Sequence, residues 1–130
     1  MTVAVVHADS PEGRAALVAA VDEAHRHHED LLVLHVLDDD GAAAEAEVES
    51  VRTAVRRIAG DDGWQVRTAV HDGDAVGTLV GLATDSGAAR VVVGSRGRNA
   101  LGKFLLERPL QRLVIEVPVP VLVVKDPDER

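Results

Sequence analysis

Five apolar segments recur along the chain, separated by longer stretches of mixed residues. Most of these segments lack polar alternation, which is typical of strands covered on both faces of a sheet. The third segment alternates in part, which favours a strand at the edge of the sheet. The five predicted strands are Thr2–His7, Leu31–Leu37, Trp64–His71, Arg90–Gly94 and Val119–Lys125.

The stretches between the strands predict four helices, because their apolar residues recur at helical spacing. Ser10 precedes Pro11, as expected when an N-cap residue is followed by proline in the first turn. Asp74 is placed to cap the third helix. The predicted helices run from about Pro11 to His28, from after Gly41 to about Gly60, from Asp74 to Gly87, and over the segment Leu106–Val114.

Strands that alternate with helices predict one α/β domain over residues 1–130 with a parallel sheet, because parallel neighbours need long crossover connections. The one irregular segment is Ser95–Leu105, directly after the fourth strand. Open α/β sheets bind their ligands outside the carboxyl ends of the strands. This segment is therefore the first candidate for a ligand site.

Composition narrows the classes of partner. The formal net charge of −8 argues against nucleic acids and anionic membranes as partners. No apolar run reaches the roughly 20 residues that span a bilayer, and Met1–Val6 lacks the basic residues of a secretory signal. We therefore expect a cytoplasmic protein. The absence of cysteine excludes disulfides, thiolate metal sites and cysteine nucleophiles.

The candidate ligand loop begins with Gly94-Ser95-Arg96-Gly97. Gly94 and Gly97 would let the backbone approach a ligand closely and adopt positive φ. Successive N–H groups, together with Arg96 and Arg98, would then hold phosphate oxygens. The alternative is that the two glycines only make a tight turn after a buried strand.

This loop and several other segments resemble the universal stress protein family over nearly the whole chain. In that family the fourth strand ends in Gly-x-x-Gly, and Gly94–Gly97 matches this first half of the motif. The other matching segments are Ser10-Pro11-Glu12, Leu34-His35-Val36, Gly73-Asp74 and Val117–Val124. The resemblance implies an open five-stranded parallel sheet of order 3-2-1-4-5 with helices on both faces, similar to the adenine nucleotide alpha hydrolases.

The resemblance also implies a function. It indicates a cytoplasmic stress-response protein that forms a homodimer through the strand Val119–Lys125, with the two copies antiparallel. It would bind a small ligand after the fourth strand, with ATP, ADP or AMP as candidates, and without efficient catalysis. Two alternatives stay open: an ATP-binding member with slow Mg-dependent hydrolysis, and an interaction module that binds no nucleotide.

The sequence departs from the nucleotide-binding members of the family at two places. Glu107-Arg108 stands where those members have glycine and a hydroxyl residue, and Pro109 removes an N–H donor from the following helix. Glu107 would place a carboxylate near a phosphate chain, while Arg108 could compensate in part. Ala8 stands where an aspartate is common, with Asp9 one position late.

These considerations give a set of candidate ligand-binding residues and no expected catalytic residue or metal ligand. The candidates are Gly94, Arg96, Gly97, Arg98, Arg108 and Asp9. The segment Gly97–Phe104 also approaches a P-loop pattern, but Phe104 stands where a P-loop has the serine or threonine that binds Mg²⁺. We therefore do not expect a P-loop NTPase.

The histidines offer further candidates. His25 and His28 share a helical face with Glu29 nearby, but a solvated helix end explains this cluster better than a metal site. His7 and His35 end the first two strands. A catalytic or ligand role is open to them, but with no nucleophile beside them packed, hydrogen-bonded histidines are favoured. His71 has no evident partner in the sequence.

Overall fold

The computed structural model describes residues 1–97 and 106–126, in which strands and helices alternate. The strands are β1 (Thr2–Val6), β2 (Asp30–Leu37), β3 (Trp64–Val70), β4 (Arg90–Ser95) and β5 (Val121–Lys125). The helices are α1 (Pro11–His27), α2 (Ala42–Ala59), α3 (Ala75–Asp85) and α4 (Arg108–Glu116). Every element predicted from the sequence is present in this order.

The five strands form one parallel sheet of order β3-β2-β1-β4-β5. This confirms the fold class and the strand order that the resemblance implied. β3 lies at an edge, as its alternation predicted, and β5 lies at the opposite edge. The crossovers change direction between β1 and β4, which opens a crevice at the carboxyl ends of these two strands.

Helices cover both faces of the sheet, and each face has its own aliphatic core. α1 and α2 pack on the face that carries Val3, Val5 and Val33. α3 and α4 pack on the opposite face, where Leu113 of α4 contributes to a cluster with Leu34. Successive residues of β1 serve opposite cores, because side chains alternate along a strand.

The helix starts follow the sequence signals. The Ser10 hydroxyl accepts a hydrogen bond from the Gly13 N–H at 3.0 Å, and the Asp74 carboxylate accepts one from the Gly77 N–H at 3.0 Å. β5 begins at Val121, two residues later than predicted. Pro118 and Pro120 precede it, and because proline has no N–H these positions extend the ladder poorly.

A charged pair fixes α4 against α3. The Arg112 guanidinium donates to both carboxylate oxygens of Asp74, at 2.7 and 2.8 Å, and its Nε donates to Glu116 at 2.6 Å. The Arg112 guanidinium, aided by the Gly77 N–H, lowers the pKa of Asp74 to about 2. This contact stays ionised at neutral pH and holds the helix that carries one wall of the crevice.

Candidate ligand site at the carboxyl ends of β1 and β4

A cleft of about 390 Å³ lies at the point where the strand order reverses. The ends of β1 and β4 form its floor, and the first turns of α1 and α4 form its walls. It is lined by Val6, Ala8, Glu12, Gly13, Val93, Gly94, Arg96, Glu107, Pro109 and Leu110. The first half of the loop motif, represented by Gly94 and Arg96, therefore shares one space with Glu107, which stands at the position of the second half.

The two glycines of the loop serve different purposes. Gly97 has a φ of +83°, the left-handed conformation that the sequence predicted. Gly94 does not have a positive φ, so that part of the prediction is wrong. A Cβ on Gly94 would lie 2.1 Å from the Glu12 carbonyl oxygen, so this glycine lets the start of α1 contact β4 directly.

The loop's donors are bonded to a carboxylate of the chain itself. The Arg96 backbone N–H donates to Glu107 Oε1 at 2.9 Å. The Ser95 hydroxyl, which is fully buried, lies 3.1 and 3.2 Å from the two carboxylate oxygens of Glu107. The Gly97 N–H donates to Ser95 Oγ at 3.1 Å, and Arg96 Nε lies 3.9 Å from Glu107. The Arg96 N–H, one of the groups that the sequence assigned to phosphate, therefore binds Glu107, and the Ser95 hydroxyl joins it.

Of the other predicted ligand side chains, Asp9 and Arg108 lie away from the cleft, and Arg98 is not described. The Asp9 side chain is 96% exposed and lies 3.4 Å from Arg14, and Asp9 does not line the cleft. Arg108 lines a shallow depression on the outer surface of α4 with Gln111 and Ile115, so the structure does not bring it to the cleft. Arg98 lies outside the described residues, as does most of the P-loop-like segment ending at Phe104.

A chain of three side chains crosses the neighbouring strand ends. His7 Nδ1 lies 3.2 Å from His35 Nδ1, and His35 Nε2 lies 2.5 Å from Glu47 of α2. Since a carboxylate only accepts, His35 Nε2 carries a hydrogen, and neutral His35 then accepts at Nδ1 from His7. The predicted hydrogen bonding of the two histidines is confirmed, and the structure shows that they bond to each other. Glu47 was missed, because nothing in the sequence relates a mid-helix glutamate to a strand end.

The hydrogen-bonded side chains of His7, His35 and Glu47 make the stability of the protein depend on pH. Burial and the neighbouring His35 lower the pKa of His7 from its usual 6.5, against the opposing effect of Asp9 and Glu47. Between that lowered pKa and about 6.5 the unfolded chain binds more protons than the folded one, so stability falls as the pH decreases through this window. When the pH is lowered from about 7.5 to about 5, we expect the Tm of a His7→Gln variant to fall less than the Tm of the parent.

The exposed His25 provides a matched control for that measurement. His25→Gln removes one histidine from the surface of α1 and should keep the parent's decline of Tm with pH. An unchanged decline in His7→Gln would show that His7 does not carry the effect.

The other histidines have partners or exposed positions. His71 Nε2 lies 2.9 Å from Asp38, a partner that was not evident in the sequence. Glu29, considered beside His25, instead accepts from Arg90 at 2.5 Å. Across residues 1–97 and 106–126, no three histidine, aspartate or glutamate side chains are grouped as a metal ion would require. In the same ranges no helix has the length and apolar character needed to cross a bilayer.

The fold and the cleft define a doubly wound α/β protein with a ligand crevice where the strand order reverses. The model of the universal stress protein family matches residues 1–125. A universal stress protein of Mycolicibacterium smegmatis is 34% identical in an alignment 130 positions long. The alignment covers 95% of this chain and 96% of that protein. The chain belongs to the universal stress protein family.

Solved structures of similar fold agree with this assignment. The universal stress protein from Archaeoglobus fulgidus in complex with dAMP has a TM-score of 0.71 at 18% identity, covering 96% of this chain and 98% of that one. A universal stress protein in complex with cAMP has a TM-score of 0.73 at 24% identity and covers 97% of each chain. At these identities the likeness establishes the fold.

Proposed function

We propose that this protein is a cytoplasmic, homodimeric stress-response protein that binds an adenine-containing small ligand without efficient catalysis. The observation that carries the proposal is the cleft between β1 and β4, which has the first half of the loop motif on one wall and the start of α4 on the other. Structures of similar fold in complex with dAMP and cAMP support an adenine nucleotide as the ligand class. The volume of the cleft, about 390 Å³, lies within the range of small-molecule pockets.

The absence of efficient catalysis is supported by the side chains around the cleft. The Ser95 hydroxyl is buried and bonded to Glu107, so it is not presented to a ligand. Ala8 lines the cleft at the position where the resemblance placed an aspartate, and its methyl group offers no ligand for Mg²⁺ and no acid or base. Binding without turnover is therefore the activity that this set of residues supports.

The proposed dimer rests on the position of β5. β4 lies on one side of β5, and in the described part of the chain no strand lies on the other. The Val91 N–H donates to the Pro120 carbonyl, so the backbone groups of Pro120 and Leu122 point towards β4. Those of Val121 and Val123 therefore point away from the sheet, where a second copy of β5 can pair with them.

Calorimetry with AMP and adenosine tests the ligand class, and phosphate release from Mg·ATP tests the absence of catalysis. We expect micromolar binding of at least one of the two adenine compounds, with guanosine and GMP as controls for the base. Failure of both adenine compounds to bind would contradict the ligand class and favour an interaction module. Steady release of phosphate from ATP, abolished by a change in the cleft, would contradict a non-catalytic role.

A further inference from the structure

We propose that Glu107 occupies the anion-binding part of the cleft as an internal ligand, and that it selects uncharged adenine compounds over polyphosphates. This rests on the proposed adenine-binding function and specifies the charge of the ligand. In this assignment a nucleoside binds with Glu107 in place. A nucleotide with a phosphate chain binds only when the Glu107 side chain leaves the loop.

The first support is the number and kind of donors that Glu107 engages. Its carboxylate meets the Arg96 N–H at 2.9 Å, the Ser95 hydroxyl at 3.1 and 3.2 Å, and the edge of the Arg96 guanidinium at 3.9 Å. A backbone N–H, a hydroxyl and a guanidinium next to a glycine with positive φ are the groups that bind phosphate oxygens in protein loops. A phosphate would need the donors that the carboxylate now uses.

The second support is that the Glu107 side chain makes no capping bond to its own helix. Glu107 is the N-cap residue of α4, the position at which a side-chain oxygen ordinarily accepts from the first turn of its own helix. It makes no such capping bond here. Instead it reaches across to a strand end 11 and 12 residues earlier in the chain. The loop donors hold Glu107 in preference to its own helix.

The third support is that the described residues offer no competing cation in the same space. Arg96 is the one basic residue among those that line the cleft within the described ranges, and it already faces Glu107. Glu12 adds a second acidic residue to the lining. Arg108, which the sequence offered as compensation, lies on the outer surface of α4. A phosphate chain would therefore meet net negative charge from the described residues that line the cleft.

Two variants separate the charge of Glu107 from its occupation of the site. Glu107→Gln removes the charge but keeps a carbonyl oxygen for the same donors. Glu107→Ser removes the charge and shortens the side chain so that it no longer reaches the loop donors. We expect ATP to bind about tenfold more tightly to Glu107→Gln than to the parent, and more tightly again to Glu107→Ser. The affinity for adenosine should change less than about threefold in either variant.

Glu116→Gln is the matched control, because it makes the same change in net charge on the same helix away from the cleft. Its affinity for ATP should equal that of the parent. The parent should bind adenosine more tightly than ATP, and calorimetry of both ligands on all four proteins measures these differences. Circular dichroism checks that each variant is folded, and Glu107→Gln carries the test if Glu107→Ser is not.

The outcomes are distinct. Equal affinities of the parent for adenosine and ATP, unchanged in Glu107→Gln, would overturn this inference and leave the proposed adenine binding intact. Failure of every protein to bind either ligand would overturn the proposed function. Equal gains in Glu116→Gln and Glu107→Gln would show an effect of overall charge, which also overturns the assignment to Glu107.

Discussion

Gly94→Ala is expected to destabilise the protein by about 3 kcal/mol or more, lowering its Tm by roughly 10 °C. The added Cβ would lie 2.1 Å from the Glu12 carbonyl oxygen, 2.5 Å from its carbon and 3.1 Å from the Gly13 nitrogen. All three are backbone atoms, so no side-chain rotation relieves the overlap and α1 must move off the sheet. Thermal and denaturant unfolding followed by circular dichroism would measure the loss.

Gly81→Ala is the matched control for that change. Gly81 lies inside α3, and among the described residues a Cβ there would have no atom within 4 Å other than those of the adjacent residues and backbone of its own helix. Alanine has the higher helix propensity, so this variant should be more stable than the parent by about 0.5–1 kcal/mol. If Gly94→Ala unfolded at the parent's temperature, α1 and β4 would not be in the close contact described above.

Val123→Pro is expected to weaken the proposed homodimer about thirtyfold while leaving the sheet of each protomer intact. The Val123 N–H points away from β4, so its loss removes a donor from the free edge and none from the β4–β5 ladder. Because the two copies are related by a two-fold axis, each copy loses this donor and the interface loses two hydrogen bonds. Two lost hydrogen bonds of about 1 kcal/mol each correspond to about a thirtyfold weaker dimer.

The other edge of the sheet provides the control for the proline. The Leu31 N–H donates to the Gly63 carbonyl, so the backbone of Thr68 in β3 points away from β2, as that of Val123 points away from β4. Thr68→Pro should remain dimeric in sedimentation experiments. A monomeric Thr68→Pro with a dimeric Val123→Pro would move the interface to β3, and a monomeric parent would exclude the dimer.

The order of the elements could be predicted from local pattern because strand and helix periods differ and the starts are marked by Ser10 and Asp74. The order of the strands in space came from the resemblance, since no residue pattern says that β1 lies between β2 and β4. Several helix and strand ends lie a residue or two from their predicted positions. At the start of β5 the reason is Pro120, which has no N–H to donate to the ladder.

The site was predicted less completely, for reasons that concern distant contacts. The sequence located the loop and identified Glu107 as an unusual residue, but not that its carboxylate binds Ser95 and Arg96. It assigned positive φ to Gly94, whereas the true constraint is the approach of α1. It also offered Arg108 as a ligand residue, although the helix turns this side chain outward. Each of these depends on where α1 and α4 pack.

The anchoring of α4 by Asp74 and Arg112 has a kinetic consequence. A bidentate ion pair at 2.7 and 2.8 Å ties this helix to α3, so the helix keeps its place while the loop donors are released. Only the Glu107 side chain must turn and leave its partners. Release of the donors is then a local side-chain step, so entry of a nucleotide would proceed without the microsecond-to-millisecond phase that a helix movement introduces.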